Sequence, residues 1–414
     1  MNTEPNALLE FFLHISTLNS TPRTGWLWRG VKNPETIAEH CFRTAFFAWV
    51  LGSKTNLGQE KLLPMVLTHE LCEVYAGDMT PYYDIAPEDG QEKQEMLRRW
   101  IRLSQKEKKS LSKKKFEIEK EGMEKVIGPL SARLRARIMS HWLEYETNAL
   151  QGGSFVYQID KIEALLQAIE YFGPQNKTFL VGWWESIEEV ASHPVLLKFL
   201  KTIEHKLYYQ KDTDMDGELA FLIEVGKLKR MPWKEWERVG VKYPDSIANH
   251  VFSHALMSWV FSWEVGGILN RERIIKMCLA QRLCRTTLNG GDVFYDGPLV
   301  NRQWIRSSTE EKQAKSEERY QQEEKVLKTI VATLDDSLQK EILSCKKEYA
   351  ENKTSEARFV NQVYVLEVLL RAFQYKEEDK SFNLKPWWEW ASESIDNPVF
   401  AKFMDAMDKR FSVS

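Results

Sequence analysis

Between Thr68 and Asp78 the sequence THELCEVYAGD sets His69, Glu70, Glu73 and Asp78 among small and apolar side chains. Groups of these types bind divalent metals and move protons. His69 and Glu73 are four residues apart and share a face if the segment is helical, with Glu70 on the flank and Asp78 beyond the break at Gly77. His40 and Asp160 lie far away in the chain, each inside an apolar pattern where a polar group is costly unless satisfied. Two histidines and two carboxylates from three helices would form a mixed nitrogen and oxygen metal site. A buried, hydrogen-bonded structural residue is the ordinary alternative for His40 taken singly. The zincin pattern HExxH does not apply, because Glu73 stands where its second histidine belongs.

The elements that must carry these residues read as helices. Thr36 followed by Glu39 forms a capping-box pattern just after Pro34, and Ile37, Cys41, Ala45 and Ala48 recur at helical spacing. Leu63, Val66, Leu67, Leu71 and Val74 define a second helix, ended by Gly77, and Ile159, Ile162, Leu165, Leu166 and Ile169 define a later one. No run alternates strictly enough to predict a strand.

The whole pattern occurs twice. GVKNPETIAEH from Gly30 returns as GVKYPDSIANH from Gly240, and FVYQIDKIEALLQAIEYF from Phe155 returns as FVNQVYVLEVLLRAFQYK from Phe359. WWESIEEVASHPVLLKF from Trp183 returns as WWEWASESIDNPVFAKF from Trp387. The chain of 414 residues therefore reads as two copies of one domain, 1–209 and 210–414, joined near the polar stretch from Tyr208 to Glu218. Ser246 opens the second copy's equivalent of the Thr36 helix. A formal charge of -3 gives no global attraction to nucleic acid or membrane, and five cysteines without a CxxC pair predict reduced thiols. The absence of a basic leader and of a long apolar run predicts a cytoplasmic protein.

RTGWLWRGVKNPETIAEH, LTHELCEVYAGDMTP, HWLEYE and YQIDKIEALLQAIEYF, in that order and spacing from Arg23 to Phe172, resemble the HD-domain phosphohydrolases, and specifically the HD-domain 5'-deoxynucleotidases. The resemblance implies an all-α fold, here two tandem HD-domain bundles packed as a pseudo-twofold pair, and hence a monomer with an intramolecular pseudo-dimer. It implies one divalent metal (Mn, Co, Mg, Fe or Zn) held by His40, His69, Glu70 and Asp160, and release of phosphate from (deoxy)nucleoside 5'-monophosphates. Glu73 and Asp78 match the family's catalytic acids, Arg23 its phosphate-contacting arginine and Trp26 the aromatic against the sugar. The sequence departs from the family at Glu70, where the His-Asp doublet has become His-Glu with one extra methylene. A non-catalytic or regulatory nucleotide-binding protein is the alternative function.

In the second copy His250 persists, but Gln281, Arg282, Arg285 and Tyr364 replace the equivalents of His69, Glu70, Glu73 and Asp160. That copy is expected to lack a metal, with its arginines in replacement salt bridges. Asp212 to Glu224 starts like a calcium loop, but Ile223 occupies the twelfth position, and the segment reads as an acidic linker. Gln105 to Lys115, with Arg98, Arg99 and Arg102 upstream, is a local basic patch that reads as a solvated helical face in preference to a nucleic-acid contact.

Overall fold

The computed structural model describes residues 2–80, 104–287 and 308–411; Arg98, Arg99 and Arg102 lie outside them. The described residues form helices and turns, and the only pairing of extended backbone is two isolated bridges, Pro22 with Thr36 and Pro232 with Ser246. They divide into two compact units, one of Met1 and Glu10–Leu222, the other of Asn2–Leu9 and Ile223–Ser414. All five cysteines are buried and free. No described helix is long and apolar enough to cross a membrane.

The first helices are α1 (Pro5–Ile15), α2 (Thr24–Leu27), α3 (Ile37–Gly52), α4 (Gln59–Thr68) and α5 (Glu73–Ala76). They are followed by α6 (Gln105–Ile127), α7 (Ala132–Thr147), α8 (Gln151–Phe172), α9 (Lys177–Glu188) and α10 (Pro194–Tyr209). The centre of the first unit is α3, every residue of which is buried. Its start is fixed as its sequence predicts: the Glu39 amide donates to Thr36 Oγ1 at 3.2 Å and the Thr36 amide to Glu39 Oε2 at 2.8 Å. α3 packs on α4 and α8, and α7 closes against α4 and α8. The bridge at Thr36, with the Arg23 amide donating to Glu35 O at 3.0 Å, ties the segment before α2 to the head of α3.

One predicted element is corrected. The helix expected to run from Leu63 past Val74 ends at Thr68, and α5 begins only at Glu73, so His69 and Glu73 do not share one helical face. His69 Nδ1 donates to Val66 O at 2.7 Å, engaging the carbonyl that the next helical turn would use, and the chain continues through short i to i−3 turns. Gly77 then ends α5 at φ 75°, a left-handed angle that favours glycine.

The second unit repeats the order with α11 (Asp216–Gly226), α12 (Lys234–Glu237), α13 (Ile247–Phe261), α14 (Arg271–Ala280), α15 (Thr309–Val331), α16 (Asp336–Glu351), α17 (Ser355–Glu378), α18 (Lys385–Ser394) and α19 (Pro398–Phe411). Asn249 donates to Ser246 Oγ at 3.1 Å at the head of α13, the helix that matches α3.

Candidate metal centre

α3, the turn after α4, and α8 bring His40, His69, Glu70 and Asp160 together. One ligand atom from each lies within 4.8 Å of every other, and all four residues are buried. His40 Nε2 is 2.9 Å from Asp160 Oδ1 and 3.9 Å from Glu70 Oε1, and His69 Nε2 is 3.6 Å from Glu70 Oε1. Isolated buried polar groups at these positions would be destabilising, so their neighbours are decisive.

Each histidine has its second nitrogen fixed. His69 donates from Nδ1 to Val66 O, which leaves the Nε2 lone pair facing the cluster, buried and without a hydrogen-bond partner. Burial also lowers the His69 pKa and so favours the neutral ring that ligates metals. His40 Nδ1 meets Glu163 Oε2 at 2.5 Å, and Arg43 balances that carboxylate through Nε to Glu163 Oε1 at 2.7 Å. His40 Nε2 thus faces Asp160 with either a proton or a cation between them. Burial and nearby Arg23 push the His40 imidazolium down, but Glu163 and Asp160 more than reverse this, raising its pKa to about 9. Tyr145 donates to Asp160 Oδ2 at 3.2 Å, and Lys161 Nζ lies 3.2 Å from the same oxygen. The donor set, the orphaned nitrogen and the hydrogen bonds behind the ligands fit a divalent cation.

The residues expected at the substrate side surround the same point. Arg23 Nη1 is 2.9 Å from Glu70 Oε1 and 3.9 Å from Asp78 Oδ1, and the Thr24 amide donates to Asp78 Oδ2. Burial would raise the Glu70 carboxyl, yet the positive charge around it, with Arg23 Nη1 at 2.9 Å, holds it well below the usual carboxylate range. Burial, then Glu70 and Asp78, push Glu73 well above that range, and Glu73 Oε2 has no hydrogen-bond partner. Trp26 is 2% exposed, donates from Nε1 to Glu35 Oε1 at 3.0 Å and stacks on Trp183 with centroids 4.6 Å apart. It forms part of the wall of a cavity of about 610 Å³ that also meets Arg23, Glu70, Glu73, Asp78 and Asp160.

Glu163, Arg43 and Tyr145 were not singled out from the sequence. Tyr145 lies inside the motif HWLEYE, and Glu163 recurs as Glu367 in the second copy, so both signals were present.

The matching place in the second unit is filled. His250 Nδ1 meets Glu367 Oε2 at 2.6 Å, as His40 meets Glu163, but the Trp233 ring covers His250 with centroids 4.0 Å apart. Arg282 Nη2 donates to the Tyr364 hydroxyl at 2.8 Å, and Arg285 pairs with Glu235 at 3.1 Å. The remaining cavity is about 10 Å³. Among the described residues no grouping of potential metal ligands occurs there.

Comparison with known proteins agrees with this architecture. A family model described as HD domain matches residues 15–196 and again 225–393. The chain is 31% identical over 198 residues to the mouse (Mus musculus) protein 5'-deoxynucleotidase HDDC2, an alignment covering 48% of this chain and 86% of that protein. The human (Homo sapiens) protein of the same name is 30% identical over 199 residues, covering 48% and 85%. The Saccharomyces cerevisiae 5'-deoxynucleotidase YGK1 is 31% identical over 167 residues, covering 40% and 67%. With the described residues of both matched regions forming helices and turns and a buried His, His, Glu, Asp cluster in the first, the chain belongs to the HD-domain family and carries the domain twice.

Proposed function

We propose that this chain is a phosphohydrolase whose N-terminal copy releases phosphate from (deoxy)nucleoside 5'-monophosphates, while the C-terminal copy, without a metal, serves as its structural partner. The observation that carries this reading is the convergence of four buried ligand atoms, with the lone pair of His69 Nε2 unengaged, on a cavity that also holds Arg23, Glu73 and Asp78. The names of its relatives support the substrate class.

His40, His69, Glu70 and Asp160 are the residues that would hold one divalent cation, whose chemistry is Lewis-acid activation of water and neutralisation of phosphate charge. The planar fork of Arg23 suits the phosphate dianion, and it would exchange Glu70 for phosphate oxygens when substrate enters. Glu73 positions the attacking water and takes its proton as the water oxygen bonds to phosphorus. Glu73 is buried beside the ligand cluster with Oε2 free of any hydrogen-bond partner, which leaves that oxygen available to the water. The bond from phosphorus to the 5'-oxygen breaks, and that oxygen takes a proton. Asp78, anchored by the Thr24 amide, either donates that proton or holds the sugar hydroxyl.

The test is metal content and phosphate release from a panel of nucleoside monophosphates. His69→Ala and Asp160→Ala are expected to lose both, and His250→Ala neither. Loss of metal in His250→Ala would place the centre in the other copy. Metal-loaded wild-type protein that binds nucleotides but releases no phosphate would favour the regulatory alternative.

A further inference from the structure

The basic patch read as a solvated face is one wall of the cavity. Lys109, Ser112, Lys113 and Phe116 follow helical spacing along α6, and all four line the space that leads to the metal centre. Lys115 and Lys161, which also line it, are engaged with Glu119 and Asp160. Lys109 and Lys113 are exposed and make no ion pair or hydrogen bond among the described residues. They are ten and six residues from buried Glu119, which at 1.5 Å per residue is about 15 and 9 Å along the helix. Arg23, beside Glu70 and Asp78, is the residue assigned to the phosphate at the metal centre under the proposed function, and the two lysines line the same cavity from α6.

The second copy supplies an internal control. α15 has the same capping box as α6, Ser308 with Glu311 matching Ser104 with Glu107, which fixes the correspondence at an offset of 204. Lys109 then matches Gln313, and Lys113 matches Glu317. From Ser104 to Lys115 there are six lysines and one glutamate, whereas from Ser308 to Arg319 there are three basic residues and four acidic ones. Among the described residues the positive wall occurs in the first copy, which has the larger cavity. Phe116 and Tyr157 add aromatic surface to the same space, and a cationic track with aromatic faces is the pattern that holds single-stranded nucleotides.

We propose that Lys109 and Lys113 form a subsite for a second phosphate group, and that the preferred substrate is a 5'-phosphorylated dinucleotide or short single strand whose terminal 5'-phosphate reaches the metal centre. This rests on the phosphohydrolase reading and names the substrate class of that site. The shared chemistry, a second phosphate, could also be supplied by a nucleoside 3',5'-bisphosphate.

The experiment compares kcat/KM for deoxyadenosine 5'-monophosphate, its 3',5'-bisphosphate and a 5'-phosphorylated deoxyadenosine dinucleotide, using wild-type protein, the double variant Lys109→Gln with Lys113→Glu, and the double variant Lys109→Arg with Lys113→Arg. The readout is the ratio of dinucleotide to monophosphate, expected at about tenfold or more in the wild type from two lysine contacts. It should persist with arginine and fall to about one in the Gln and Glu variant. A bisphosphate that shares the advantage assigns it to the phosphate alone, and one that does not assigns it to the following nucleotide; either supports the subsite. Equal kcat/KM for all three substrates in the wild type, or an advantage that survives the Gln and Glu variant, would overturn it. If none of the three releases phosphate, the phosphohydrolase reading has failed, and calorimetric Kd ratios of the same ligands on the same full-length proteins decide the subsite.

Discussion

Arg23 and Glu70 hold each other at 2.9 Å, while Glu70 also belongs to the ligand cluster and the proposed function gives Arg23 the phosphate. Glu70→Asp draws the carboxylate back from Arg23 by about 1.5 Å, one bond length of chain. That variant is expected to keep metal and to lower KM for nucleoside monophosphates by up to about tenfold as Arg23 is released, whereas Glu70→Ala should lose metal and turnover together. Bound metal and steady-state kinetics on the three proteins check this, and metal content indifferent to both changes would remove Glu70 from the ligand set. At this scale the sequence was informative where chemistry is concentrated. The resemblance to the HD-domain 5'-deoxynucleotidases nominated His40, His69, Glu70 and Asp160, and the fold gathers them. Glu163 escaped because a single carboxylate three residues after Asp160 in an apolar helix looks like any other polar residue until its partner His40, on a different helix, is placed beside it.

At the scale of elements, apolar periodicity located α3 and α8 but passed straight through the break between α4 and α5. Leu71 and Val74 stay in phase with Leu63 and Leu67, so the pattern cannot register that His69 has engaged the Val66 carbonyl. The turn so formed lies close under α6. A Cβ at Gly122 would stand 2.7 Å from Cys72 O and 3.2 Å from the Ala76 nitrogen, both backbone atoms that cannot rotate away. Gly122→Ala is therefore expected to lower stability by about 1–3 kcal/mol and to reduce phosphate release by shifting α5 and its Glu73. Thermal unfolding beside kinetics measures it, and wild-type values in both would show that the two helices separate without consequence. The matching position in α15 is Val326, opposite a turn whose equivalent of Glu73 has become Arg285.

For the whole molecule, the repeat was legible at once, since offsets of 210 and 204 are visible by eye. Which unit a given segment packs with was not. The Thr3 amide and hydroxyl donate to the Glu264 carboxylate at 2.9 and 2.8 Å, and Asn2 Nδ2 donates to Glu264 O at 2.7 Å, all within the second unit. Nothing in the local pattern around Thr3 announces a partner so far along the chain. Glu264 is 3% exposed, so Thr3→Val should destabilise the second unit by about 1–2 kcal/mol while leaving metal bound in the first. Hydrogen exchange resolved by helix is the measurement, with faster exchange in α13 and no change in α3 as the expected outcome. Uniform acceleration in both would mean that Thr3 does not act through Glu264 alone.

The same hydrogen bonds impose an order in time. Thr3 leaves the ribosome first, and Glu264 follows 261 residues later, a delay on the order of 13–50 s at about 5–20 residues per second. The residues of the first unit are all synthesised before most of the second exists, so that unit can close around its ligands while Asn2–Leu9 still waits for a partner.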